Sequence, residues 1–193
     1  MTPPRVVSCE SLPIKTREPP CEDRTAIHNW CSKKNLKVCE RLTPTVYIYK
    51  VAEEKIRNHS MVGLNASHEV MGLMVGGAFE WDGKPYTLVR DVVTTELKSD
   101  MLGVRFDENG FLGLIDSLDD LDFNYRIVGW YHSHPGIGCF LSQVDHNTQR
   151  GIFNQLHHSA LVIDPSLQEL EVYSGMERVS FRIYWDRNQD PYF

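Results

Sequence analysis

One stretch, RIVGWYHSHPGIGCFLSQVD from Arg126 to Asp145, carries both the architecture and the chemistry of the chain. Its first part, RIVGWYHSH, is β-branched and aromatic, the composition of a strand. Pro135 lacks the N–H that a ladder needs and stops the pairing. Side chains at i and i+2 of a strand share a face, so His132 and His134 present both imidazoles together at its C-terminal end. Gly136 and Gly138 let the backbone turn sharply. Ser142 then opens a helix whose first turn holds Asp145. Strand, turn and helix thus fold a carboxylate back toward two imidazoles.

The pattern continues on both sides. TVYIYK, from Thr45, reads as a strand. VAEEKIRNHSM, with Val51, Ile56 and Met61 among good helix formers, reads as a helix. EVMGLMVGGAFEWDGKPYTLVRDVV reads as two strands around a turn at Asp82-Gly83. Its first arm, Val70 to Val75, is apolar enough to be covered on both faces. TTELKSDMLGVRF is a polar loop, and ENGFLGLIDSLDDLDF carries Phe111, Leu114, Ile115, Leu118 and Leu121 at helical spacing. SQVDHNTQRGIFNQLHH reads as a further helix, and ALVID, LEVY and VSFRIYW as strands. This mixed order predicts an α/β chain of the α+β kind, not a doubly wound sheet.

Residues 1–44 stand apart. They hold six of the ten prolines and four of the five cysteines, with little apolar periodicity. They read as an extension, partly extended or flexible, ahead of a domain spanning 45–193. Cys9, Cys21, Cys31 and Cys39, even with His28, lack the closely spaced cysteine pair of a structural zinc site. An odd cysteine total does not suit a disulfide framework.

A chain of 193 residues suits one domain with an appendage. The net charge of −6 argues against nucleic acid and anionic membranes, both of which favour a basic face. No run approaches the ~18 apolar residues of a membrane span. The opening MTPPRVVSCESLPIKTREPP has no apolar signal core. A cytoplasmic location is the expectation.

Two neutral imidazoles and one carboxylate form a catalytic zinc set. Three protein ligands leave a fourth position for water, whose pKa falls to about 7. Nitrogen and oxygen ligands alone do not exclude iron or manganese. Each part also has an ordinary explanation. His-x-His occurs widely, and Ser142-x-x-Asp145 is a helix-capping signal, although a cap and a ligand are compatible. The combination favours a metal: seven residues, Pro and Gly among them, separate His134 from Ser142.

His-Ser-His-Pro, seven residues, then Ser-x-x-Asp resembles the JAMM motif of the MPN metalloprotease family. With EVMGLMVG and NTQ, the likeness runs from about Thr45 to Trp185. It lies nearest the branch holding the deubiquitinating subunit of the proteasome lid and the signalosome subunit that acts on cullins. Every position of the metal motif is present. The resemblance implies an MPN fold: a mixed, curved sheet flanked by helices, layered as in cytidine deaminases. It implies one zinc per chain on His132, His134 and Asp145, with Glu69 as general acid/base and Ser142 as donor to the oxyanion. The residues alone do not select Glu69 over Glu80, Glu96 or Glu108, though Glu69 just precedes a buried strand.

The implied activity is a zinc isopeptidase, a deubiquitinase that releases ubiquitin or a ubiquitin-like protein after its C-terminal Gly-Gly, linked to proteasomal degradation. The implied partners are such conjugates, a proteasome, and a second copy through MPN helices. The resemblance also makes Thr95 to Arg105 an insertion beside the site that orders on the substrate tail, with Thr95, Met101, Leu102 and Val104 as contacts. An ordinary strand–helix connection is the alternative there. No long C-terminal helices follow the domain, so a simpler, archaeal-type system is expected. Two rival functions stand beside this one: a hydrolase of small sulfur-carrier or amino-acid conjugates, and a non-enzymatic MPN scaffold.

Neighbouring residues have plainer readings. Cys139 reads as a small buried packing residue and His146 as a solvated helix residue. His157 and His158 read as closing a helix C-terminus. Of Trp130 and Tyr131, alternation sends one inward and one outward.

Overall fold

A computed structural model describes residues 15–17, 45–81, 83–94 and 126–184. Their elements, in chain order, are β1 (Lys15–Thr16), β2 (Val46–Tyr49), α1 (Lys50–Asn65), β3 (Met71–Trp81), β4 (Lys84–Thr94), β5 (Arg126–Ser133), α2 (Gln143–Gly151), β6 (Ser159–Asp164), β7 (Glu169–Ser174), β8 (Glu177–Arg178) and β9 (Phe181–Tyr184). The strands form one mixed sheet in the order β8-β7-β6-β5-β3-β4-β2-β9, with β1 parallel to the far end of β3. The α+β expectation holds. The amphipathic helix expected around Phe111 to Leu121 lies outside the described residues.

The long arms β3 and β4 are antiparallel, and Trp81 pairs with Lys84. Two residues therefore make the turn. Gly83 adopts φ +69 there, and Asp82 lies outside the described residues. β3 is also antiparallel to β5, whereas β5 and β6 run parallel. Parallel neighbours need a crossover connection, and α2 lies within it.

Helices cover both faces of the sheet. On one face Ala52 and Ile56 of α1 pack with Ile48, Met74, Val89, Tyr131, Leu161 and Ile163. On the other, Met71, Leu73, Trp130, Ala160 and Val162 pack with Cys139 and Phe153, which flank α2. The apolar run of β3 is buried because its alternate residues feed two cores. Trp130 and Tyr131 do point to opposite faces, but both are buried; neither faces outward, because each face carries a helix.

A bulge sets the phase of β5. Met74 pairs with Gly129 and Val75 with Ile127, which leaves Val128 as an extra residue. Val128 consequently joins the α1-side core, two positions before Trp130 in the α2-side core. Gly129 adopts φ +152, and a Cβ on it would stand 1.9 Å from the Ser159 carbonyl oxygen. Only glycine fits that close approach.

Two readings of the helices change. α1 forms where expected, but its buried stripe is Ala52, Ile56, Ser60 and Gly63. Val51 and Met61 are 40% and 44% exposed, whereas Ile56 is 0% exposed. The five-residue steps from Val51 to Ile56 to Met61 fall off one helical face, which steps by three or four. The buried Glu53 carboxylate is bound by Lys50 and Arg57. The further helix ends at Gly151, with Ile152 as its C-cap, so His157 and His158 close no helix. They sit in the turn before β6. Phe153 is drawn into the core and its carbonyl accepts from the Gln149 side chain, which ends the helical path.

Ile56→Ala is expected to lower unfolding free energy by about 3 kcal/mol. Met61→Ala is expected to change it by about 0.5 kcal/mol or less. Urea denaturation followed by circular dichroism reads both, and equal losses would contradict the buried stripe.

Candidate metal centre

β5 delivers His132 on its α2 side, in phase with Trp130, and the two rings stack at 4.6 Å. The Trp130 indole N–H donates to Gln149 Oε1 on α2 at 2.8 Å, which holds the stacking surface still. His134 follows the strand, and its backbone N–H continues the ladder to the Ile163 carbonyl at 2.8 Å. Its Nδ1 lies 3.0 Å from the Gly138 carbonyl oxygen. A carbonyl only accepts, so Nδ1 carries the proton and Nε2 keeps a free lone pair. Gly136 and Gly138, at φ +83 and +86, make the expected turn.

Ser142 caps α2. The Asp145 backbone N–H donates to Ser142 Oγ at 3.3 Å, and the Ser142 N–H donates to Asp145 Oδ2 at 2.7 Å. This capping box fixes the carboxylate in the first turn.

These devices bring together His132 Nε2, His134 Nε2 and Asp145 Oδ2. The nitrogens lie 3.1 Å apart, and the oxygen lies 3.4 Å from one and 3.9 Å from the other. All three residues are buried. Ligand atoms about 2.0–2.1 Å from a tetrahedral zinc stand roughly 3.3 Å from one another. The donor set therefore fits one divalent cation. Burial, then the neighbouring His132, lowers the His134 pKa and keeps that ring neutral, as a ligand must be. For Asp145 burial opposes ionisation, but hydrogen bonds from His132 and Ser142 outweigh it and bring the pKa down to about 2. Burial pushes the Cys139 thiol up to about 12. Cys139 packs in the α2-side core, as expected, and is not a thiolate.

Glu69 occupies the next place in register. Val70 and Ser133 face each other: the Ser133 N–H donates to the Val70 carbonyl at 2.9 Å, and the Val70 N–H donates to Ser133 Oγ at 3.0 Å. Met71 pairs with His132, so Glu69 stands across from His134 at the open end of the ladder. Glu80 sits nine residues beyond Met71 on the same strand, about 30 Å from the pairing with His132 at the rise of a strand. Glu96 and Glu108, with Thr95, Met101, Leu102 and Val104, lie outside the described residues, as do His28 and the four N-terminal cysteines.

The sequence reading missed three residues. Ser133 ties Glu69 to the histidine strand. Gln149 anchors α2 to Trp130, and its place four residues after Asp145, on the same helix face, was a usable signal. Asp164 ends β6 fully buried. A lone carboxylate after the apolar run ALVI, just before Pro165, was the signal there. Hydrogen bonds from backbone N–H groups outweigh burial and hold its pKa below the ordinary carboxylate range.

Carboxylates with depressed folded-state pKa values stabilise the fold above their unfolded values, about 3.9 for Asp. That stability is lost as pH falls through the folded values. Melting temperature is expected to drop steeply between about pH 4 and about pH 2. A thermal-melt series that stays flat there would contradict the two buried carboxylates.

Residues 43–156 match the JAB1/Mov34/MPN/PAD-1 ubiquitin protease family. The 26S proteasome regulatory subunit RPN11 of Candida glabrata is 39% identical over 125 residues, 63% of this chain and 39% of that one. The ubiquitin carboxyl-terminal hydrolase RPN11 of Saccharomyces cerevisiae is 39% identical over the same length. COP9 signalosome complex subunit 5 of Candida glabrata is 33% identical over 182 residues, 84% of this chain and 37% of its own length. The chain thus spans about two fifths of the length of these relatives. The solution structure of protein DSY2949 from Desulfitobacterium hafniense shares the fold at TM-score 0.54 and 20% identity, covering 75% of this chain and 97% of that one. The family match over more than half of the sequence, on a mixed sheet flanked by two helices among the described residues, makes this chain a member of the JAB1/Mov34/MPN/PAD-1 family.

Proposed function

We propose that residues 45–193 form a zinc isopeptidase that releases ubiquitin or a ubiquitin-like protein from conjugates or precursors after its C-terminal Gly-Gly. The observation that carries this reading is the joint placement of His132 Nε2, His134 Nε2 and Asp145 Oδ2 within 3.9 Å of one another. Not every MPN domain need be active, and an intact donor triad is what an active one requires. Kinship to a proteasome subunit and a signalosome subunit supports ubiquitin-type conjugates as substrates and a proteasome as a partner. A cytoplasmic setting and pairing with a second copy belong to the same reading.

His132, His134 and Asp145 hold the zinc. Bound there, zinc supplies an electrophile and lowers the pKa of water to about 7. Glu69 accepts the proton of the attacking water on a carboxylate oxygen and returns it to the departing amine. The Ser142 O–H, at the start of α2, donates to the oxygen that gains charge; losing one such donor typically costs about 10²–10³ in rate. The Phe140 ring lies 4.8 Å from the His134 ring and forms an apolar wall beside it. Thr95 to Arg105 receives the substrate tail, with Met101, Leu102 and Val104 against the ubiquitin-like body.

The test is a panel of ubiquitin-fold conjugates and small amides, with and without chelator. Cleavage of the ubiquitin-fold substrates and its loss with chelator are expected. Glu69→Gln should retain one zinc per chain and lose turnover by about 10²-fold or more; full activity would show the proton acceptor to be misassigned. His134→Ala and Asp145→Asn should lose the zinc. Uptake of zinc with no cleavage of any conjugate would favour a scaffold.

Replacing Met101, Leu102 and Val104 together with serine should slow cleavage of a folded ubiquitin-like substrate by about 10-fold or more while sparing a short peptide. Equal losses on both would remove the docking role.

A further inference from the structure

The geometry points to Asp164 as a positioning residue that fixes the His134 ring for metal binding, acting through Gly138; this rests on the zinc reading above. Asp164 closes β6 and is 0% exposed. Four backbone N–H groups converge on its carboxylate. Oδ1 accepts from Gly136 at 3.0 Å, Ser166 at 2.9 Å and Leu167 at 3.0 Å, and Oδ2 accepts from Gly138 at 2.7 Å. Four inward N–H dipoles take the place of water around the anion. Two of them belong to the loop that follows His134 and two to the turn that follows β6.

Gly138 couples this anchor to the metal site. Its N–H is held by Asp164, and its carbonyl oxygen accepts from His134 Nδ1 at 3.0 Å. Both loop glycines have left-handed φ values, and glycine has the widest backbone freedom of any residue. The Gly138 carbonyl keeps its aim because the adjoining amide is pinned. That carbonyl in turn holds the proton on Nδ1. An imidazole without such an acceptor can carry its proton on Nε2, where it blocks ligation. His132 is held differently, stacked on Trp130, and among the described residues its Nδ1 has no hydrogen-bond partner. Of the two rings, His134 is the one whose Nδ1 is set by a hydrogen bond.

Asp164→Asn keeps the shape but replaces one accepting oxygen with an NH₂ group. In this variant zinc affinity, measured by competition with a chromophoric chelator, is expected to fall about 10–100-fold. In the metal-free protein, ¹⁵N NMR should show His134 as the Nδ1–H tautomer in the parent chain and as a mixture in Asp164→Asn. Ile56→Ala, destabilised in the α1-side core on the opposite face of the sheet, should keep the parent affinity and tautomer, which separates positioning from loss of stability. Parent-like affinity and tautomer in Asp164→Asn would overturn the proposal. So would an Nε2–H tautomer in the metal-free parent, a measurement that stands even if the variant does not fold. Absence of zinc uptake by the parent would defeat the zinc reading, while the tautomer comparison would still decide the role of Asp164.

Discussion

The two histidines face α2 because β5 carries one extra residue. Ahead of the Val128 bulge the strand is in one phase with β3, and after it in the other. A one-residue slip exchanges the faces of every side chain that follows. Without the bulge, Trp130 and His132 would point toward α1, away from Asp145. The close approach of Gly129 to the Ser159 carbonyl holds the bulge in place. It also sets the spacing of β5 and β6, the strands that end in His132 and Asp164.

Around that phase, each side chain of the candidate site is fixed by a different physical device. His132 lies flat on Trp130, whose N–H is satisfied by Gln149. His134 is aimed by the Gly138 carbonyl. Asp145 is held by the amide of the residue that caps its own helix. Val70 and Ser133 pair at the mouth of the ladder and place Glu69 across from His134. A buried carboxylate without donors would cost several kcal/mol. Asp164 accepts from four backbone N–H groups, and Asp145 from the Ser142 N–H with His132 and the Ser142 side chain beside it, so hydrogen-bond donors hold both negative charges in the interior.

The strands were legible in the sequence because β-branched and aromatic runs, broken by Gly and Pro, leave few alternatives. β6 and β7 fall where ALVID and LEVY place them, and β3 and β4 form the expected arms. The helices were less legible. Val51 and Met61 looked like core and are exposed, because α1 presents small residues to the sheet to come close to it. The run after Gln143 looked helical to His158, yet the pull of Phe153 into the core ended it at Gly151. Trp130 and Tyr131 could not be assigned an inside and an outside because both faces of the sheet are inside.

The sequence by itself determined the donor set. His132 and His134 two apart at a strand end, with Ser142 and Asp145 on the helix after a Pro/Gly turn, follow from local spacing and short-range sterics, which a linear pattern records. What only the tertiary structure decided is which distant groups hold that set. Ser133 against Val70, Gln149 against Trp130 and Asp164 against the Gly136–Gly138 loop are contacts across strands and layers. Their pairing depends on sheet register and on the Val128 bulge, and no local period in the sequence encodes either one.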